Sequence, residues 1–456
     1  MSTSNLFTFH KGIHPPDYKE AAKDKPITEC SLPPEIIIPM RQHIGQPCSP
    51  TIKIGDKVKI GQKIGDAAGF ISAPIHASIS GSVKEIGPRP HFMGIDVESV
   101  VIVPDREQVW ENLKGADEGE VSSPEKIREK VRGAGIVGMG GATFPTHVKL
   151  NPPKDKEIDS VIVNGCECEP FLTCDYRLMI EQPDDLVSGI IIAMRCVGAR
   201  HGYIGIEVNK PDAIEILERR LIERENDIPS GMEIRVARLM TKYPQGSEKQ
   251  LIKAIVDRTV PVQKLPSEVG VLVQNVGTMI AIYKAVKHGI PLIERVVTVT
   301  GPVIKEPKNL RVKIGTPISW LIDECSGFTE PPGKVICGGP MTGFAQAHLE
   351  ASVIKGTSGI VALSKDMVKR TMERQLPCLK CGKCVDICPL FLTPSLFGSY
   401  VEKRRFNDLE DSGILNCVEC GSCAYICPAK RPLIQLIRIA KREIVANKSK
   451  RKAVGV

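Results

Sequence analysis

The sequence is poor in aromatic residues, which make up 4% of its 456 positions and include only 2 tryptophans. That scarcity argues against a stacking surface for single-stranded nucleic acid, which needs a series of exposed rings; no nucleic-acid partner is expected. Long apolar runs are missing too. The longest, around Ile190–Met194 and Val271–Val273, fall well short of the ~18–20 residues of a spanning helix, so no transmembrane segment is expected. The opening residues, MSTSNLFTFHKG, lack the basic and apolar regions of a secretory signal. Nor does one charge dominate: 61 basic against 53 acidic residues leave +8, part of it local to Lys430–Lys452. A Walker phosphate loop, G-x-x-x-x-G-K-[ST], is absent as well.

What is present is a globular composition, with 42% hydrophobic and 25% charged residues and many turn formers, 40 glycines and 35 prolines. The length leaves room for about three or four domains. Sixteen cysteines point to a reducing compartment in which thiolates stay available. Eight of them fall in two runs, Cys378, Cys381, Cys384, Cys388-Pro389 and Cys417, Cys420, Cys423, Cys427-Pro428. Each reads C-x-x-C-x-x-C-x-x-x-C-P, the spacing of bacterial ferredoxins that carry two [4Fe-4S] clusters. Three thiolates on a tight loop reach three irons of one cube, and the fourth ligates the other cube. The expected sets are therefore Cys378, Cys381, Cys384 and Cys427 for one, and Cys417, Cys420, Cys423 and Cys388 for the second. Zinc sites or disulfides are the plain alternative, but zinc needs two C-x-x-C pairs and leaves the last cysteine of each run unexplained.

Upstream, Cys48 to Val103 reads as short strands broken by turns. Its two halves resemble the hammerhead hairpins of biotinyl and lipoyl carriers, yet the matching tip, Gly65-Asp66-Ala67-Ala68-Gly69-Phe70, has no modifiable lysine. The expectation is a barrel-sandwich scaffold or a plain small β-domain. Gly115–Glu125 has linker composition. Beyond it, strands at Asp159–Asn164, Gly202–Val208, Glu233–Leu239 and Gly270–Gln274 alternate with helices at Asp212–Arg224, Ser247–Asp257 and Thr278–Lys287. That rhythm predicts a parallel sheet covered on both faces, with ligands outside the carboxyl ends of its strands. From Arg295 to about Ala362 a shorter β-rich unit suggests a β-grasp-like domain.

Two loops carry candidate chemistry. Gly133, Gly135, Gly138, Gly140 and Gly141 fall within nine residues, with Lys149 just beyond. Glycines let backbone N–H groups approach a phosphate, and a following helix start would add a favourable dipole; a structural turn is the simpler reading. At the end of the next strand come Asn164, Cys166, Glu167, Cys168, Glu169 and Pro170, then Cys174 and Asp175. An amide and carboxylates there suit the hydroxyls of a ribityl chain or ribose, and the three cysteines lack the spacing of a metal site.

Gly138-x-Gly140-Gly141-Ala142-x-Phe144-Pro145-Thr146-x-x-Lys149, Asn164-x-x-Glu167-x-Glu169-Pro170, Gly246-Ser247-Glu248 and Asn275-Val276-x-Thr278 resemble the flavin- and NADH-binding subunit of respiratory complex I. Met139 and Cys166 stand where that subunit has an arginine and an aspartate, and Gln274 and Gly277 also depart from its pattern. With the opening Phe9-His10-Lys11-Gly12-Ile13-His14-Pro15-Pro16 and the paired cysteine runs, nearly the whole chain is similar to the C subunits of Rnf ion-translocating ferredoxin:NAD oxidoreductases. The resemblance implies a multidomain α/β chain: a lead over 1–34, a barrel-sandwich hybrid β-domain over 35–105, a Rossmann-like FMN/NAD domain over 125–292, a β-grasp (SLBB-type) domain over 293–363, and an α-helical two-[4Fe-4S] ferredoxin domain over 364–456.

It further implies FMN phosphate on the Gly138–Gly141 loop and Lys149, and the ribityl chain and ring near Asn164, Glu167 and Asn275. Phe144 would stack on NAD(H), with Glu169 and Glu248 touching it; Gly246 and Thr278 complete the motif. The implied partners are NAD(H), the integral membrane and other subunits of the Rnf complex, and ferredoxin through that complex, with the chain peripheral on the cytoplasmic face. A hydride carries two electrons and a cube takes one, so a flavin beside two cubes converts between them; no side-chain acid or base is needed. Two other readings stay open, a soluble flavin/Fe-S corrinoid reductase and a non-catalytic electron-relay subunit without a working flavin site. The apolar stripe Leu433, Ile434, Ile437, Ala440, Ile444 and Val445 predicts a basic helix that closes the ferredoxin unit or docks on a membrane or partner.

Overall fold

The structure, a computed structural model, describes residues 6–454 apart from 68, 118, 120, 122 and 372–374. Near the N-terminus, alternating apolar residues make two facing sheets. One is ordered Ile36–Pro39, Ile95–Pro104, Gly81–His91, Lys57–Val58, the other Ser49–Pro50, Lys63–Asp66, Ile75–His76. Ile36, Ile38, Ile64, Ile75, Ile79, Val100 and Ile102 fill the space between them. Each such side chain contributes roughly 1.5–3 kcal/mol when taken out of water.

The parallel sheet forms as the strand-helix rhythm predicts, in the order Glu233–Leu239, His201–Glu207, Ser160–Asn164, Val271–Asn275. Ser160–Asn164 and Val271–Asn275 are buried on both faces, which is why they read as unbroken apolar runs. Register sets Asn275 opposite Asn164 and Asn164 opposite Gly205, so the carboxyl ends line up. Asn275 ends its strand and at once caps the helix Val276–His288, its side chain accepting from Gly277 N–H at 2.9 Å.

The β-grasp unit holds a six-stranded mixed sheet in the order Ile27–Glu29, Lys308–Lys313, Glu294–Thr300, Gly359–Leu363, Lys334–Cys337, Phe344–Gln346. Its first strand comes from the lead over 1–34. Ile27–Glu29 pairs parallel with Asn309–Arg311 and so covers an edge that would otherwise stay open. Earlier in the same segment Phe7 bridges to Leu239 and Ile13 to Tyr243. The predicted linker is also partly docked, since Ala116 is buried and its N–H reaches Val286 O at 2.7 Å. At the seam of three units the buried Lys355 donates to Pro74 O at 2.8 Å and Gly135 O at 2.7 Å. Burial drives its pKa down to about 7.

Downstream of the short helix Lys365–Thr371, the cysteine runs sit in a small helical unit. Its long last helix, Leu433–Val454, packs Leu433, Ile437, Ala440 and Ile444 against Phe397, Val401 and Leu409. The apolar stripe thus closes the unit; only Val445 of that stripe lies outward, 56% exposed. Among the described residues no helix is long and apolar enough to cross a membrane.

Candidate functional site

The glycine loop is a hairpin-like excursion pinned at its base. Val137 bridges Pro145, Gly138 N–H donates to Phe144 O at 2.9 Å, and Thr146 N–H to Ile136 O at 3.0 Å. Its tip, Gly140 to Ala142, is exposed. Gly141 has φ +119 and open space where a Cβ would stand, and a Cβ on Gly140 would lie 3.3 Å from Asn275 Cβ. These positions form a backbone cradle that side chains would fill. Met139 N–H donates to Thr278 Oγ1 at 2.9 Å, and the buried Arg295 reaches Met139 O at 3.5 Å. The helix that follows, Thr146–Lys149, is a single turn, so the expected helix dipole contributes little. Lys149 instead donates to Glu248 at 2.8 Å and to Val273 O at 3.2 Å. That pair is partly exposed, worth under about 1 kcal/mol, and an incoming phosphate can displace it.

Opposite the cradle, Asn164 Nδ2 donates to Gly246 O at 2.7 Å, and its Oδ1 accepts from Cys166 N–H at 3.3 Å. Glu167, with φ +43, accepts from Asp175 N–H at 2.8 Å and Tyr176 N–H at 3.1 Å. Its carboxylate therefore caps the helix Cys174–Glu181. Glu169 turns to the β-grasp unit, accepting from Met341 N–H at 3.0 Å and from the Thr342 hydroxyl, and burial raises its pKa. Asn275 Nδ2 donates to Asp175 at 2.6 Å. Burial and then the neighbouring Glu167 push Asp175 up to about 7. Phe144 is half-buried at the loop base, and Glu248 opens the helix Glu248–Val256.

Cys166, Cys168 and Cys174 are spent on packing, with Cys168 Sγ accepting from Gly246 N–H at 3.3 Å and burial raising all three thiols. Beside Gly246 the fully buried Gln245 has neither amide atom partnered within the protein, and the same holds for Gln274 Nε2. Such orphaned polar atoms and the open glycine cradle fit a polar cofactor at this sheet edge. A cavity of about 600 Å³ lies elsewhere, between the barrel-sandwich and α/β units, lined by Lys63, Phe70, Arg132 and His147.

Three structural contributors escape a reading of motifs. Lys19, buried, donates to the backbone carbonyls of Glu167 and Glu169, each at 3.0 Å, and to that of Leu172, and so holds the acidic loop in shape. Arg295 and Tyr243 are the others. The only readable hint is Arg295, a cation inside the apolar strand Glu294–Thr300.

The eight cysteines of the two runs lie in one helical unit. Cys384, Cys388 and Cys423 are buried, Cys378, Cys417, Cys420 and Cys427 half-buried, and Cys381 exposed. Burial raises the Cys423 thiol, and Cys417, Cys420, Cys388 and Cys384 then add to it. Cys388 likewise faces Cys417 and Cys420, while Cys427 acts on Cys384. The last cysteine of each run thus neighbours the other run. Among the described residues no three His, Cys, Asp or Glu side chains converge as ligands of a single ion; an all-thiol set shared across two loops suits a polynuclear cube. Both runs are tied to the upstream domains, the first at its closing Pro389 and the second at Cys420. Tyr243 Oη donates to Cys420 O at 2.7 Å, Gln250 Nε2 to Pro389 O at 3.4 Å, and Arg438 to Thr342 O at 3.0 Å.

Comparison with known proteins matches this architecture unit by unit. Residues 131–284 match the Nuo51 FMN-binding domain, 7–107 the RnfC barrel sandwich hybrid domain, 296–345 the SLBB domain, and 374–431 the 4Fe-4S dicluster domain. In fold the chain is similar to a chain of an NAD+-reducing [NiFe]-hydrogenase in the H2-reduced state, with a TM-score of 0.53 at 19% identity, covering 74% of this chain and 67% of that one. The C subunit of the Na+-translocating ferredoxin:NAD+ oxidoreductase complex of Acetobacterium woodii is 47% identical, over 97% of this chain and 98% of its own length. The corresponding subunit of the proton-translocating complex of Clostridium ljungdahlii is 46% identical, over 98% and 96%. Its counterpart in the ion-translocating oxidoreductase complex of Rhodobacter capsulatus is 41% identical, over 98% and 85%. With its four domains in their order and close relatives along nearly its whole length, the chain belongs to the family of C subunits of ion-translocating ferredoxin:NAD+ oxidoreductase complexes.

Proposed function

We propose that this chain is the peripheral electron-transfer subunit of such a membrane complex, exchanging hydride between NAD(H) and FMN and passing single electrons through two [4Fe-4S] clusters. The observation that carries the proposal is the seat on the α/β domain of both segments expected to hold the second cube, through Tyr243 on Cys420 of the second run and Gln250 on Pro389, which follows Cys388 at the end of the first. A flavin at the sheet edge would thereby have an outlet. Bound there, FMN supplies the conversion between an electron pair and single electrons.

The chain's residues hold and shield. The Gly138–Gly141 backbone and Lys149 would take the phosphate, with Lys149 released from Glu248. Asn164 and Asn275 would meet the ribityl chain and ring, and Phe144 would face the nicotinamide nucleotide. Glu167 and Glu169 act one step removed, capping a helix and anchoring the β-grasp loop Met341-Thr342. Cys378, Cys381, Cys384 and Cys427 would ligate one cube, and Cys417, Cys420, Cys423 and Cys388 the other. All sixteen cysteines are free, which supports a reducing compartment and hence the cytoplasmic face.

Anaerobic purification followed by NADH addition tests the reading. Bleaching of a bound flavin and two interacting [4Fe-4S] signals by EPR are expected. No flavin after add-back, with no reduction by NADH, would sink the catalytic reading, and a single-cluster or [2Fe-2S] spectrum would contradict the ligand sets.

A further inference from the structure

The two cysteine loops present opposite surfaces. The second is covered: a Cβ on Gly421 would lie 2.8 Å from Met341 O, Cys420 O is taken by Tyr243, and Glu419 is neutralised by Arg438 at 3.1 Å and Lys441 at 2.6 Å. The first is open. From Gln375 to Cys381 every residue but Cys378 is exposed; Leu376 is 45% and Leu379 60% accessible. Lys380 and Lys383 are exposed on this loop, and among the described residues neither has an ion-pair partner. Leu376 N–H donates to Ala429 O at 3.0 Å, which brings the exposed Lys430 alongside. Asp386 is the only acid between Gln375 and Cys388.

From this face we infer that the loop Gln375–Lys383, with Lys430, is the docking surface for an acidic protein domain that carries a one-electron redox centre. The proposal rests on the wire reading above. Exposed leucines give a short apolar contact, and lysines around it steer and orient a partner of opposite charge. Cys381, the one exposed thiol of the eight, puts the cube it would ligate at the surface, where the distance to a partner's centre is shortest. One electron crosses per encounter, so that one centre is oxidised as the other is reduced, and no proton or group moves. The covered second loop offers no such approach and serves the flavin side.

Binding of a small acidic ferredoxin to the cluster-loaded, flavin-loaded chain is the test, at low and high ionic strength. Wild type should bind at low salt and weaken steeply as salt screens the contact. Lys380→Glu with Lys383→Glu should weaken low-salt binding about tenfold or more and tighten binding of the basic probe cytochrome c. The remote reversal Lys53→Glu with Lys57→Glu, equal in net charge, should change neither. The proposal is overturned if the loop variant binds as wild type does, if the remote variant loses as much, or if binding ignores salt. Lys380→Gln with Lys383→Gln, at about half the effect, covers the case in which reversal damages the cube, read from its EPR signal. Absence of both cube signals from wild type would instead overturn the wire reading and this proposal with it. Intact cubes and NADH bleaching with indifferent binding would overturn the docking face alone.

Discussion

The two cysteine runs share one spacing and one length, yet the fold gives them different neighbours. Around Cys420 the loop is pressed onto the α/β and β-grasp units, and its acid is neutralised inside the protein. Around Cys381 the loop is bare and basic. The chemistry of ligation is set by local spacing and the direction of the wire by long-range packing, so two copies of one motif can hold different posts.

Removing one ligand from each run breaks the comparison most sharply. Cys420→Ser should leave flavin bleaching by NADH intact while abolishing passage of electrons to an external one-electron acceptor. Cys381→Ser should also stop that passage but leave one cube reducible by NADH, visible as a single, uncoupled EPR signal. If both variants behave alike, the assigned order along the wire is wrong. A smaller effect should strike both runs equally: Ile437→Ala, in the helix that closes the unit, should cost about 2–5 kcal/mol and lower the melting temperature of the cluster unit as a whole.

Lys355 is seated at another seam, on Pro74 and Gly135, and its variant should spare both cubes. Its folded pKa of about 7 lies below the ordinary lysine value of 10.5. Between these values the unfolded chain keeps the proton that the folded chain has lost, so its contribution to stability rises as pH rises through that window. Lys355→Met should flatten that slope, measured as melting temperature against pH. Smallest of all, Tyr243→Phe should cost about 1 kcal/mol and shift the midpoint potential of the covered cube alone; an equal shift in both would erase the distinction.

Much of the fold could be read from the sequence because its signals are local. Val161–Val163 and Val271–Val273 are apolar because both faces of their strands are buried, and thiolate spacing states its own purpose. The glycine loop too was legible, as a backbone cradle. The use of each acid was not. Glu167 looks like a partner for hydroxyls until the chain turns back and brings Asp175 and Tyr176 N–H groups to it. Glu169 meets Met341 across 172 residues, and no periodicity records such a contact. Met139, where the complex I subunit has an arginine, has its carbonyl reached by Arg295 from another domain. The polar N-terminal segment hides its role for the same reason, since short strands completed by distant partners carry no pattern of their own.

That segment also bears on how the protein is made. Lys11 meets Val385 O across 374 residues, and Gly12, Lys19 and Ile27 are each held by elements synthesised much later. What leaves the ribosome first must wait for what leaves last, a topology of high contact order that slows folding and prolongs exposure of unfinished surface. Because the N-terminal strap closes on the flank of the cysteine unit, at Val385 and Ile387, the first residues of the chain and its last domain complete one another's fold.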